Sequence, residues 1–98
     1  MSKTLSYIGL CRKAGKLVPG TQLATEAVRA GKAVLCVLSC DASDNTAKRI
    51  KDSCSYHGVG CVVLRSTSEE LGSALGRESI AAAAVTDPGF AEMIKRSL

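Results

Sequence analysis

Two periods of apolar residues run along this chain and divide it into alternating helices and strands. Residues ~3–14 place Leu5, Ile8 and Arg12 at helical spacing and reach a stop at Gly15. Leu17-Val18 reads as a short edge strand before Pro19. From Thr21 to Ala30 the helical wheel sets Leu23, Ala24, Ala27 and Val28 on one side and Gln22, Thr25, Glu26 and Arg29 on the other, so the second set is the predicted exposed face. Ala33 to Ser39 is a continuous apolar run short enough to be a strand buried on both faces. Ser43 or Asp44 can cap a helix whose Ala47, Ile50 and Cys54 share a face and which ends at Tyr56-His57-Gly58. Cys61 to Leu64 reads as the next buried strand. Thr67-x-x-Glu70 is a capping box opening a helix through Leu75, with Gly76 after its end. Ile80 to Val85 is a further core strand of small residues, and Asp87-Pro88 begins a last helix through Phe90, Met93 and Ile94.

Strands separated by helices imply parallel βαβ units with right-handed crossovers and helices on both faces of the sheet. The predicted fold class is α/β, a compact α/β/α sandwich of about four strands. At 98 residues the chain has room for one core, and neither a repeat nor a linker divides it. No apolar stretch approaches the ~20 residues of a membrane span, and Met1 to Gly20 lacks the apolar region of a secretory signal, so a cytoplasmic protein with no membrane partner is expected.

The formal charge of +4 is unevenly placed. Residues 1–32 carry Lys3, Arg12, Lys13, Lys16, Arg29 and Lys32 against Glu26 alone, while residues 66–98 are net acidic. A positive field at the N-terminal end suits a polyanion. Within that segment the run RKAGKLVPGT places Arg12, Lys13 and Lys16 one short loop before the start of a helix, where unpaired N–H groups carry partial positive charge. That arrangement predicts an anion-binding surface.

Catalytic chemistry finds no residues to carry it. Gly15 and Gly20 have the spacing of a nucleotide phosphate loop, but Thr21-Gln22 stand where Lys-Ser/Thr is required. His57 is the single histidine and reads as a packed or surface residue at a helix end, which leaves no Ser/His/Asp or Cys/His constellation. Five cysteines form no C-x-x-C pair and read as reduced, small apolar residues. Cys54 and His57 have the spacing of zinc ligands, with Cys36, Cys40 and Cys61 to recruit, but a helix of ~14 residues at ~1.5 Å per residue holds Cys40 and His57 about 20 Å apart, which opposes a zinc site. Neither a cofactor nor a metal is expected. Three scattered aromatics, Tyr7, Tyr56 and Phe90, make no stacking platform for single strands, so structured RNA is the predicted ligand.

The ordered set Arg12-Lys13-Ala14-Gly15-Lys16, Pro19-Gly20-Thr21, Ala27-Val28-x-x-Gly31-Lys32-Ala33, Ser39-Cys40-Asp41-Ala42-Ser43, Leu71-Gly72-x-Ala74-x-Gly76 and Val85-Thr86-Asp87-Pro88-Gly89-Phe90 resembles the ribosomal protein L-seven-Ae/L-thirty-e superfamily across essentially the whole chain. The resemblance implies a non-catalytic three-layer α/β/α sandwich with a central mixed sheet, a monomer that binds kink-turn RNA, ribosomal RNA among the candidates. It implies that Gly20, Thr21, Gln22 and Leu23 enter the RNA groove beside sheared G·A pairs. A second contact loop corresponds to Gly76 through Ala82, including Arg77, Glu78, Ser79, Ile80 and Ala81, against an unstacked nucleotide. Two positions depart from the family pattern: Leu23 stands where a polar side chain is common, and Glu26 where lysine is frequent. Lys13, Lys16, Arg29 and Lys32 are the cations expected to offset Glu26. The same superfamily includes modules that bind protein partners, the alternative reading, which the acidic C-terminal third would suit. It also resembles the substrate-recognition domains of RNA ribose methyltransferases, though the chain has no room for their catalytic domain.

Overall fold

The computed structural model describes residues 2–98 of the chain. In chain order it contains α1 (Lys3–Lys13), β1 (Leu17–Pro19), α2 (Thr21–Arg29), β2 (Leu35–Leu38), α3 (Asp44–His57), β3 (Gly60–Val63), α4 (Ser68–Ala74), β4 (Ala82–Val85) and α5 (Pro88–Ser97). The local chemistry accounts for these boundaries. Ser2, Ser43, Thr67 and Asp87 each accept a backbone N–H from the first turn of the helix they precede. The Thr67–Glu70 capping box closes in both directions, with Thr67 N–H donating to Glu70 Oε1 at 2.9 Å and Glu70 N–H to Thr67 Oγ1 at 3.2 Å. The first four helices are each followed closely by a glycine in the left-handed region.

The four strands form one mixed sheet in the order β1-β4-β2-β3. Only β2 and β3 are parallel; β4 runs antiparallel to both β1 and β2, so the all-parallel βαβ reading holds for the β2-α3-β3 unit alone. The reason lies in the path from β3 to β4. Helix α4 has only seven residues, and after Gly76 the chain doubles back along it, held by Arg77 N–H donating to Gly72 O at 2.8 Å and Ile80 N–H donating to Ser68 O at 2.9 Å. The excursion starts and finishes at the same end of the sheet, and a strand entered from that end must oppose β3. Gly72 makes the return possible, because a Cβ there would stand 2.6 Å from Ser79 Cα and 2.8 Å from Ser79 N.

Side chains alternate across the sheet and build a core on each face. Leu35, Val37, Ala83 and Val85 point toward α1, α4 and α5, where they meet Leu5, Ile8, Leu71 and Ile94. Cys36, Leu38, Ala82 and Ala84 point toward α2 and α3, where they meet Ala24, Ala27, Val28, Ile50 and Cys54. Helices on both faces complete the three layers expected. No helix among the described residues is long and apolar enough to cross a membrane.

Candidate nucleic-acid interface

Helix α2 begins where β1 leaves the sheet, and Gly20 makes the corner. Its φ of 103° and ψ of 145° carry the chain out of the strand, and its N–H donates to Ala82 O at 2.9 Å. An ideal Cβ on Gly20 would meet no atom within 4 Å, so the site is open in space but strained in backbone for any other residue. The turn requires the glycine whether or not a ligand approaches, so its presence is not by itself a sign of RNA contact. No side chain caps α2, in contrast to the other four helices, so the N–H groups of its first turn lack the side-chain acceptor those helices have. Such a start can accept an anion or the acceptor edge of a base.

Beside it lies the return segment from Gly76. Ala82 O receives the Gly20 N–H, and Ala81 O accepts the Ser39 N–H at 2.8 Å, so the start of β4 is sewn to both the start of α2 and the end of β2. The two segments expected to contact RNA, Gly20–Leu23 and the Gly76–Ala82 loop, are therefore neighbours through the latter's Ala81–Ala82 end at one end of the sheet. Arg77, Glu78 and Ser79 are exposed on the return segment. Ile80 is not: its side chain is buried in the core on the α1 side, leaving only its backbone near this surface.

Two assignments on α2 exchange places. Leu23, expected inside, is 51% exposed, and Thr25, expected outside, is 6% exposed. Burial of Thr25 is tolerated because its hydroxyl donates to Gln22 O at 2.8 Å. The outcome is an apolar Leu23 displayed next to Thr21 and Gln22 at the helix start. Glu26 and Arg29 are exposed as expected, roughly 8 and 12 Å along the axis from Thr21 at ~1.5 Å per residue.

The remaining cations are elsewhere. The edge strand expected at Leu17-Val18 is β1, and Lys16 O accepts the Thr86 N–H at 2.9 Å at the end of the sheet opposite Gly20. Four extended residues at ~3.3 Å each separate Lys16 from Gly20 by about 13 Å, beyond the ~8 Å Debye length of physiological salt. Lys13 lies at the end of α1, near Lys16. Lys32 lies just before Val34, whose N–H donates to Val85 O at that same far end. The structure thus separates Arg12, Lys13 and Lys16 from the start of α2 that they were expected to flank, and sets Lys32, expected only to offset Glu26, at the same far end. Among the described residues, salt bridges join only Glu92 to Lys95 and Arg96, so these cations are not paired with acids.

One contact at this end had no readable signal. Asp41, in the loop after β2, accepts Ser68 N–H at 2.8 Å and Ser68 Oγ–H at 3.2 Å, clamping that loop to the start of α4. The Ser68 N–H is the main reason that the exposed Asp41 carboxyl titrates below its usual range. Its partner is 27 residues away, so the capping box announced the helix without revealing the clamp. The cysteines are buried except Cys40, which is exposed, and Cys61, which is half-buried; burial pushes the Cys11 and Cys61 thiols up to about 11. His57 is exposed at the end of α3, edge-on to Tyr56 with ring centroids 4.9 Å apart. Among the described residues no three His, Cys, Asp or Glu side chains group as a metal ion would need.

Comparison with known proteins agrees with this architecture. The chain is 39% identical to the RNA-binding protein YlxQ of Bacillus subtilis (strain 168) over 87 residues, 89% of this chain and 86% of that protein. It is 37% identical to the RNA-binding protein YlxQ of Enterococcus faecium over 93 residues, 95% and 88% of the two chains. Among solved structures, a Bacillus halodurans C protein described as having unknown function superposes with a TM-score of 0.88 at 31% identity, covering 97% of this chain and 99% of that one. The Giardia lamblia 15.5kD RNA binding protein superposes with a TM-score of 0.75 at 20% identity, over 95% of this chain and 82% of that one, and so shares the fold. The pattern of one family spans residues 2–95, and the chain belongs to that family, the ribosomal protein L7Ae/L30e/S12e/Gadd45 family.

Proposed function

We propose that this chain is a non-catalytic, cytoplasmic RNA-binding protein that docks a folded RNA of the kink-turn kind, as a monomer, on the end of the sheet where α2 begins. The observation that carries the reading is the uncapped start of α2, with Thr21, Gln22 and exposed Leu23, lying against the Ile80–Ala82 backbone. The open N–H groups suit acceptor edges of bases or phosphate, and Leu23 offers an apolar surface on which an unpaired base can rest. The relatives named RNA-binding proteins favour the same ligand class, and membership of a ribosomal protein family makes ribosomal RNA the first candidate host. Arg29 extends the surface along the helix, and Lys13, Lys16 and Lys32 contribute only where a longer RNA reaches the far end.

The test is a gel shift against a kink-turn and a straight duplex of equal length, repeated with Thr21→Glu. An acid in the first turn of a helix is stabilising by about 0.3–1 kcal/mol, so this variant should fold while repelling RNA. Preference for the kink-turn, lost in Thr21→Glu, is the expected result. Equal binding to both RNAs, unaffected by the substitution, would reduce the interaction to nonspecific attraction by the basic surface; no binding to either would remove the RNA reading.

A further inference from the structure

The sheet has a second feature that the RNA face does not use: the outer edge of β3. It is the last strand in the order, and Gly60–Val63 make no backbone hydrogen bond on that side to any described residue. Open strand edges are commonly blunted by a covering segment, a proline or an inward charge. Here Gly60 and Val63 are exposed, Val63 by 53%, and nothing covers them. The C-terminal end of the strand opens into a groove of about 340 Å³ between Val63–Ser66, the start of α1 and the end of α5. A shallower depression continues past Lys3 to Tyr7 and Met93. No acidic side chain lines either depression. Lys3 and Arg65 stand in the first, and Lys51 on α3 is close enough to act electrostatically on Cys61 from the other face of the strand.

We propose that the β3 edge is a docking site for an extended acidic peptide segment of a partner protein, which adds a fifth strand beside Gly60–Val63. Pairing with the free backbone groups supplies affinity without sequence demand, and alternate side chains of the added strand set specificity. Those on one side would fall beside Lys3 and Arg65 and those on the other beside Lys51, so carboxylates are favoured in both rows, with apolar contact to Val63. A second copy of this chain fits less well, because the same cations would face each other across a pair of β3 edges. RNA fits less well too, because it presents neither a row of amides nor an apolar match for Val63. With β1 and β3 at opposite margins, Gly20 and Val63 are separated laterally by three strand spacings of ~4.8 Å, about 14 Å, so a peptide here leaves the α2 end free.

The probe is an acetylated, amidated peptide of alternating aspartate and valine, titrated into the isotopically labelled full chain and followed by backbone amide NMR, with the lysine-valine analogue as control. The expected result is saturable shifts confined to Ser2–Thr4, Gly60–Ser66 and the neighbourhood of Lys51, slowed amide exchange along β3, and no response to the control. Val63→Asp combined with Arg65→Glu should weaken binding by about tenfold or more, some 1.4 kcal/mol, with an unchanged spectrum elsewhere to show that the fold is kept. Equal response to the lysine analogue, shifts centred outside those residues, or none at millimolar peptide would overturn the proposal. So would shifts at this edge that depend on protein concentration alone, the mark of self-pairing, or that arise only with RNA.

Discussion

The two faces of the sheet are packed by different means. On the α1-α4-α5 face large aliphatics dominate: Leu5, Ile8, Leu71 and Ile94 meet Leu35 and Val37, and three helices share the load. On the α2-α3 face small side chains dominate, with Ala24, Ala27, Ala82, Ala84, Cys36 and Cys54 bringing α2 and α3 close to the strands. A face filled by bulk is vulnerable to truncation, because the space left behind cannot collapse. A face built on close approach is vulnerable to enlargement, because it has no slack. The second face carries the proposed RNA surface, so the position of α2 is fixed by the smallness of what lies under it.

The largest effect should come from Ile8→Ala on the first face. This side chain is fully buried, and truncation should cost about 2–5 kcal/mol in denaturant unfolding; a loss under 1 kcal/mol would mean that the face relaxes and is not held by bulk. Next is Ala24→Leu on the second face. Forcing a larger group between α2 and the sheet should cost about 1–3 kcal/mol and displace the start of α2, so RNA binding should fall further than stability alone explains. If stability and affinity are both retained, the contrast between the faces fails.

Glu26→Lys tests the outer side of the same helix, where packing should not matter. Stability should change by no more than about 0.5 kcal/mol, while affinity for a kink-turn RNA should rise, most at low salt. Unchanged affinity beside an Arg29→Glu variant that loses binding would show that Glu26 points away from the RNA. The smallest effect belongs to Asp41, which joins loops at the rim and lies in neither core. Its carboxyl titrates below normal, so its stabilisation is complete above the ordinary value of about 3.9 and disappears as pH falls through the lower folded value. Asp41→Asn should therefore flatten the acid limb of a stability–pH curve measured by urea unfolding. An unchanged limb would assign it to other carboxylates.

Most element boundaries were legible because they rest on local chemistry: caps at Ser43, Thr67 and Asp87, stops at Gly15 and Gly76, and apolar runs of strand length. Failures occurred where a distant contact decides. The direction of β4 depends on a return path that Gly72 permits by lacking a Cβ, and nothing near Gly72 in sequence announces Ser79 as its neighbour. Thr25 is a local exception: its hydroxyl is satisfied by Gln22 O of its own helix, which makes burial tolerable in a way that its polar class does not announce. The candidate site was legible in its two segments, Gly20–Leu23 and the loop ending at Ala82. Its cations were misplaced because Lys16 and Gly20, close in sequence, lie at the two ends of the short edge strand between them, and an extended strand carries Lys16 to the far end of the sheet.

The common direction of the helices gives the molecule a polarity that no single residue reveals. β1 starts, and β2 and β3 end, so as to place the beginnings of α1, α2, α3 and α4 toward the Gly20 end; α5 alone points the other way. Each aligned helix carries the equivalent of roughly half a positive charge at its beginning and half a negative charge at its finish. Arg12 and Lys13 in the last turn of α1, Arg29 in the last turn of α2 and Lys32 just beyond it therefore neutralise the negative pole of the fold. The positive pole at the start of α2 has no side chain assigned to neutralise it, and its attraction for an anion comes from the backbone.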